Sequence, residues 1–154
     1  MGKYRILILL IVSIFCMVGC IGEEKVAVPK FVIEVALTEE ASEKLKQSGE
    51  SIKGTIFFDG NGTPLPGVKT APFRDVFLGK YDFELGKEEN ITIENASISK
   101  EAFSRLKDKN YYYLVNIYSG RRVFKNNILN CGYADGRFQN LKSGKEIKIV
   151  CGLL

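Results

Sequence analysis

The sequence predicts a mainly β protein, a single antiparallel β-sandwich of the immunoglobulin or transthyretin kind with two short helices. Three observations carry this expectation. Apolar and polar residues alternate at period two in several separate stretches, the mark of strands with one buried face. Only residues 37–46 and 98–107 show helical spacing. Two cysteines, Cys131 and Cys151, fall on the apolar faces of two late strand patterns.

The strand patterns follow one another along the chain. "FVIEVAL" sets Phe31, Ile33, Val35 and Leu37 on one face. "SIKGTIFFDG" sets Ile52, Gly54, Ile56 and Phe58 against Lys53, Thr55 and Asp59. "YDFEL" opposes Tyr81, Phe83 and Leu85 to Asp82 and Glu84, and "NITIEN" alternates Ile91 and Ile93 with Thr92 and Glu94. "NILNC" and "EIKIVC" put Leu129 with Cys131, and Ile147 and Ile149 with Cys151. Asp135-Gly136 and Ser143-Gly144 supply turn chemistry between these last two.

The helical stretches "LTEEASEKLK", from Leu37 to Lys46, and "ISKEAFSRLK", from Ile98 to Lys107, resemble each other position by position. Thr38 and Ser99 are N-cap candidates, because their oxygens can accept from the free amides of a first turn. Glu40 and Glu101 sit favourably for the helix dipole. Ala41 with Leu45, and Ala102 with Leu106, form the buried stripes. Gly49 can stop the first helix and Asn110 the second. Each lies between strand patterns, so a duplicated strand–helix–strand unit and independent convergence of two capped helices both fit.

The N-terminus has a different character. "MGKYR" carries Lys3 and Arg5 and no acid, and an uncharged run from Ile6 to Val18 follows. That is the layout of a secretory signal and is short of the roughly 20 residues a transmembrane helix needs. The run ends in "MVGC", Met17 to Cys20. Gly19 directly before a cysteine resembles the lipobox of bacterial lipoproteins, with Met17 where the family usually has Leu. The resemblance implies cleavage between Gly19 and Cys20, a lipid on Cys20, and anchoring in the membrane by that lipid. Residue 21 is Ile rather than the Asp that marks inner-membrane retention in the family. This implies the outer membrane, facing the periplasm, in a cell that has one. Residues 1–19 are then a signal peptide, 20–30 a lipidated tether reaching about 30 Å at most, and 31–154 the sandwich domain.

Cleavage leaves positions 20–154, an ordinary single domain. Lys3 and Arg5 leave with the signal, so the basic side chains fall from 22 to 20 against 18 acidic ones. The signs are interspersed, without the clustered basic stripe that nucleic acid requires. Cys16 leaves too, as one more apolar residue of the signal. The remaining pair, Cys131 and Cys151, reads as a disulfide in an exported domain. The chain has no His and no Trp. Ser-His and Cys-His nucleophilic sites, His-based zinc sites and tryptophan platforms for sugars are therefore excluded.

Two stretches are candidate binding regions. "DGNGTPLPG" departs from a calcium loop, since Thr63, Pro64 and Thr70 occupy its fifth, sixth and twelfth positions. No metal or cofactor is expected there. The whole connection from Asp59 to Asp75 is long enough to be a binding loop. "YYYLVNIYSGRR" places Tyr112, Leu114, Asn116 and Tyr118 on one face, with Arg121 and Arg122 at the end. Tyr and Arg are enriched where proteins bind proteins, although a central aromatic strand gives the same pattern. The expected function is non-catalytic binding of another envelope protein, as an accessory subunit, inhibitor or immunity-type protector. A carbohydrate or peptidoglycan module is the alternative, and would show a narrow groove lined by Tyr112 and Tyr118. An envelope hydrolase using paired carboxylates would show two converging acids, at least one with a raised pKa.

The anchoring expectation has a direct test. Cys20→Ser should move the protein from the membrane pellet to the soluble fraction of gently lysed cells. Continued membrane residence of the variant would sink lipid attachment at Cys20.

Overall fold

A computed structural model describes residues 23–68, 74–86, 90–140 and 146–154. The alternating stretches become the strands β1 (Lys25–Ala27), β2 (Phe31–Leu37), β3 (Ile52–Gly60), β4 (Val76–Leu85), β5 (Asn90–Ile93), β6 (Ser97–Ser99), β7 (Tyr112–Ser119), β8 (Leu129–Cys131), β9 (Ala134–Arg137) and β10 (Glu146–Leu153). Two helices interrupt them, α1 (Glu39–Ser48) and α2 (Lys100–Ser104), and a single 3-10 turn, Phe138–Asn140, follows β9.

Two four-stranded sheets, ordered β5-β2-β10-β8 and β4-β3-β7-β9, share one core, and β1 pairs with β6 beside them. The apolar faces meet as the alternation requires. Phe31, Ile33, Val35, Ile147, Ile149 and Cys151 of one sheet bury against Ile56, Phe58, Val115 and Ile117 of the other. Each large apolar side chain of this kind contributes about 1.5–3 kcal/mol on leaving water. Phe138 joins the layers, with its ring edge-on to Phe31 at 5.9 Å and to Phe58 at 6.2 Å. Tyr111 stacks flat on Phe138 at 4.7 Å, and burial pushes its hydroxyl pKa up to about 12.

The sheet β4-β3-β7-β9 is antiparallel throughout. The other sheet corrects the expectation in one place, because β2 and β10 run parallel from Val32 opposite Glu146 to Leu37 opposite Cys151. Alternation reports which side chains are buried but not strand direction. The chain comes to β10 from the opposite sheet, so its direction against β2 is not set by a hairpin between them.

α1 forms as expected. The Thr38 hydroxyl accepts from the Ala41 amide at 3.3 Å, Ala41 and Leu45 are buried, and Gly49 closes the helix at φ 73°. α2 keeps the Ser99 cap but has five residues, so the expected helix to residue 107 is cut short. Tertiary bonds take the groups that another turn would use. The Arg105 carbonyl accepts from the Thr63 amide, and the Lys107 amide donates to the Asn61 carbonyl at 3.1 Å. The two strand–helix–strand units also differ in partners, since among the described residues β2 lies inside a sheet and β6 pairs with β1 alone.

Two boundaries move. Asp135-Gly136, read as a turn, lies inside β9 opposite Tyr113 and Leu114. A Cβ at Gly136 would lie 2.9 Å from the Tyr113 hydroxyl, so glycine here makes room for a ring. The segment read as a tether is part of the fold from Glu24 onward. The Glu24 carbonyl accepts from the Lys100 amide, β1 pairs with β6, and Val28 is buried. Ser143-Gly144, Gly19 and Cys20 lie outside the described residues.

Cys131 and Cys151 face each other in register on β8 and β10, with Cα atoms 4.1 Å apart, and form the expected disulfide. The closely spaced pairs of an antiparallel ladder bring Cα atoms to about this separation. The bond closes a 20-residue loop, worth about 3 kcal/mol in the chain-entropy model. Cys131→Ala/Cys151→Ala should lower thermal stability by about that amount, roughly 10 °C in Tm. A change of about one degree in a melting scan would show that the sheets are held without it.

Candidate binding face

The sheet β4-β3-β7-β9 turns its polar alternates outward, and the register sets them in rows. Lys53 lies between Glu84 and Tyr118, Thr55 between Asp82 and Asn116, and Phe57 between Lys80 and Leu114. Asp59 lies beside Tyr112, which is followed by Arg137. Tyr112 and Tyr118 thus share the face but stand at opposite ends of β7, about 20 Å apart along the strand.

The Tyr112 end is closed by the chain itself. Arg74 Nη1 donates to Asp59 Oδ1 at 2.8 Å, and the guanidinium stacks 3.7 Å over the Tyr112 ring. Arg74 Nη2 is 3.7 Å from Asp135 Oδ2, and Arg137 Nε donates to the Tyr112 hydroxyl at 3.1 Å. Asp59 is 1% exposed, and among the described residues its second oxygen finds no hydrogen-bond partner. Burial pushes the Asp59 carboxyl up, against the opposing pull of Arg74. The described parts of the Asp59–Asp75 connection are thus tied down by Asp59–Arg74 and by Asn61 and Thr63 on the Arg105–Lys107 backbone. Residues 69–73 lie outside the description.

The Tyr118 end is open. Tyr118 lines a depression of about 550 Å³ shared with Lys53, Thr55, Lys80 and Asp82, and another of about 480 Å³ shared with Asn116, Arg121, Asn130 and Leu154. Its hydroxyl lies 3.3 Å from Thr55 Oγ1, which donates to Asp82. Lys80 also donates to Asp82, and these two bonds hold the Asp82 carboxyl below its ordinary range. Arg121 is exposed and adopts a left-handed backbone at φ 56°. Leu154 is 77% exposed.

Arg122, whose side chain stays exposed, also makes contacts within the chain. Its guanidinium clasps the Glu84 carboxylate through Nε and Nη2, and the Ser51 hydroxyl donates to the same group. Arg122 first, then Ser51, hold Glu84 at a pKa of about 2. Arg122 thus fastens the loop after β7 to β4.

Glu50 completes that fastening from beneath. One oxygen accepts from the amides of Ser51 and Arg122, both at 3.0 Å. The other accepts from Val123 at 2.8 Å and Phe124 at 3.0 Å. The side chain is almost wholly buried, and burial alone would raise its pKa; four backbone donors outweigh that and hold it at about 2. Gly120 allows the approach, since a Cβ there would lie 2.0 Å from Ser51 Oγ.

The sequence pattern places Tyr112, Tyr118, Arg121 and Arg122 on one strand and its end. The structure lines the open depressions with Tyr118 and Arg121, covers the Tyr112 ring with Arg74, and pairs Arg122 with Glu84 while leaving its side chain exposed. It adds Glu50, Arg74, Asp135 and Arg137, which read locally as ordinary charges. Among the described residues no group of three or more His, Cys, Asp or Glu is placed to hold a metal ion. No family model, curated protein or solved structure matches this chain.

Glu50 makes stability depend on pH. Its folded pKa of about 2 lies below its ordinary 4.5, so its contribution is complete above about pH 4.5 and is lost as pH falls toward 2. Glu50→Gln should lower unfolding stability near neutrality by about 2–3 kcal/mol. In denaturant titrations the gap from the unmodified protein should close between about pH 4.5 and pH 2. A gap independent of pH would show that the loop amides do not depend on the carboxylate charge.

Proposed function

We propose that this chain is a lipid-anchored protein of the bacterial cell envelope whose domain binds another envelope protein without catalysis. An accessory subunit, an inhibitor and an immunity-type protector are the forms that fit. The anchor is the lipid on Cys20, placing the domain at the outer membrane facing the periplasm in a cell with two membranes. The observation that carries the binding role is the open surface around Tyr118, a tyrosine between two depressions with exposed Arg121 and Leu154 at its border. Tyrosine and arginine beside exposed apolar area have the composition of a protein-binding hot spot.

The geometry favours this reading over the other two. A sugar groove lined by Tyr112 and Tyr118 would need both rings open for stacking, whereas Arg74 covers the Tyr112 ring. Hydrolysis by paired carboxylates needs a protonated acid at the site. Asp82 and Glu84, the acids that share the first depression, are both held below the ordinary range by their donors. Asp59, whose pKa is raised, sits under Arg74 away from both depressions.

A photoreactive side chain at position 118, introduced into the lipidated protein in intact cells, should give one dominant protein adduct. Tyr118→Ala and Arg121→Glu should each weaken binding of that partner at least tenfold and leave Tm unchanged. Retention of peptidoglycan fragments with no protein adduct would move the assignment to carbohydrate binding.

A further inference from the structure

The fold begins closer to the anchor than the sequence pattern implies. Among the described residues the first backbone group bonded into the fold is the Glu24 carbonyl, 2.9 Å from the Lys100 amide, and β1 is in register with β6 immediately after it. Lys100 also pairs with the Glu24 side chain at 2.7 Å. If Cys20 bears the lipid, the reading on which this inference rests, four residue steps separate the acyl chains from that carbonyl. Four residues span about 14 Å at full extension. The interfacial layer of a leaflet is itself roughly 5–8 Å deep. The β1–β6 side of the domain therefore stays at the bilayer surface.

That side carries a groove. A depression of about 310 Å³ runs between β4, β6 and the loop after β3, and its lining includes Leu65, Val68, Phe77 and Tyr81 together with Lys25, the acid Glu23, and Lys80, which is paired with Asp82. Val68 is 44% exposed, and Leu65 and Phe77 are partly exposed. We infer that this groove rests on the bilayer, with its apolar side chains in the interfacial layer and Lys25 directed toward lipid phosphate. The occupant is phospholipid for two reasons. The short leash holds lipid beside the groove at high effective concentration. It also leaves too little room for a protein to enter between the domain and the membrane. The domain is then oriented as well as anchored.

The chain contains no tryptophan, so a single introduced one reports its own surroundings. The full-length lipidated protein would be reconstituted into phospholipid vesicles with brominated acyl chains, as Val68→Trp and separately as Val123→Trp. Val123 is 54% exposed and its amide sits on Glu50, at the opposite end of the sheet. The Leu85 rung at that end is about 26 Å along β4 from Phe77. The indole at position 68 should emit further to the blue and lose at least half its intensity in brominated vesicles. The indole at position 123 should be unchanged. Equal quenching at the two positions, or no quenching at position 68 in protein that floats with the vesicles, overturns the orientation and leaves anchoring intact. Absence of lipid on Cys20 by mass spectrometry removes the leash and overturns both.

Discussion

The parallel pairing of β2 with β10 is the constraint on which the rest of the structure depends. The first long strand and the last meet in the middle of one sheet, across most of the length of the chain. Ile147 and Ile149 then lie beside Ile33 and Val35, and this apolar strip is the floor on which the opposite sheet packs. Such a contact forms only after a long loop has closed, so it is entropically the hardest part of the fold to reach. The disulfide acts on the same strand from its other side, holding β10 to β8. Phe138, ahead of β10 in the chain, packs against Phe31 and Phe58 and ties the approach to both layers. The final strand is therefore held by a parallel partner, a covalent partner and an aromatic wedge.

Charge is used differently at the two ends of the outer sheet. Glu50 is buried with four backbone donors, so its ionised form is strongly favoured and the loop from Gly120 to Phe124 is held in one conformation. Asp59 is buried with Arg74, and one of its oxygens lacks a partner among the described residues, so desolvation prevails over the ion pair. A buried carboxylate served only in part is expected to have a raised pKa, and one served completely a lowered pKa. The first arrangement fixes the loop that carries Arg121. The second brings Arg74 down over Tyr112, closing one end of the face and leaving Tyr118 at the open end.

Legibility follows from the range of the interactions. Period-two alternation is local, so Phe31 to Val35, Ile52 to Phe58 and Ile147 to Cys151 could be assigned to buried faces directly. Capping is local too, and Thr38, Ser99 and Gly49 take the positions their chemistry suggests. The cysteine pair needed only a count and two strand patterns. What escaped was set over distance. Nothing within "EIKIVC" states that it runs parallel to "FVIEVAL". Gly136 reads as a turn until Tyr113 is placed opposite it, and no local pattern marks Phe138, which packs between Phe31 and Phe58. Tyr112 and Tyr118 are indistinguishable in the sequence, because Arg74, on a different connection, decides which ring is covered.

The short leash also governs how the binding face would be presented. The Glu24 carbonyl is bonded beside β6 and α2, on the side of β4 that carries Leu65, Val68 and Phe77. The Tyr118 surface lies toward the other end of the same sheet, on the rung of Lys53 and Glu84. In a long-tethered domain that separation would have little consequence, because the domain could turn freely. On a leash of about 14 Å it would matter, since the groove side would be held to the surface and the Tyr118 rung, about 13 Å along β4 from the Lys80 that lines both depressions, would stand above it. The arginine clasp on Glu84 and the amide cradle around Glu50 then hold the loop bearing Arg121 at that outward end. On the reading that Cys20 carries the lipid, a short anchor, one closed sheet end and one open end would together give the domain a membrane-facing side and a partner-facing side.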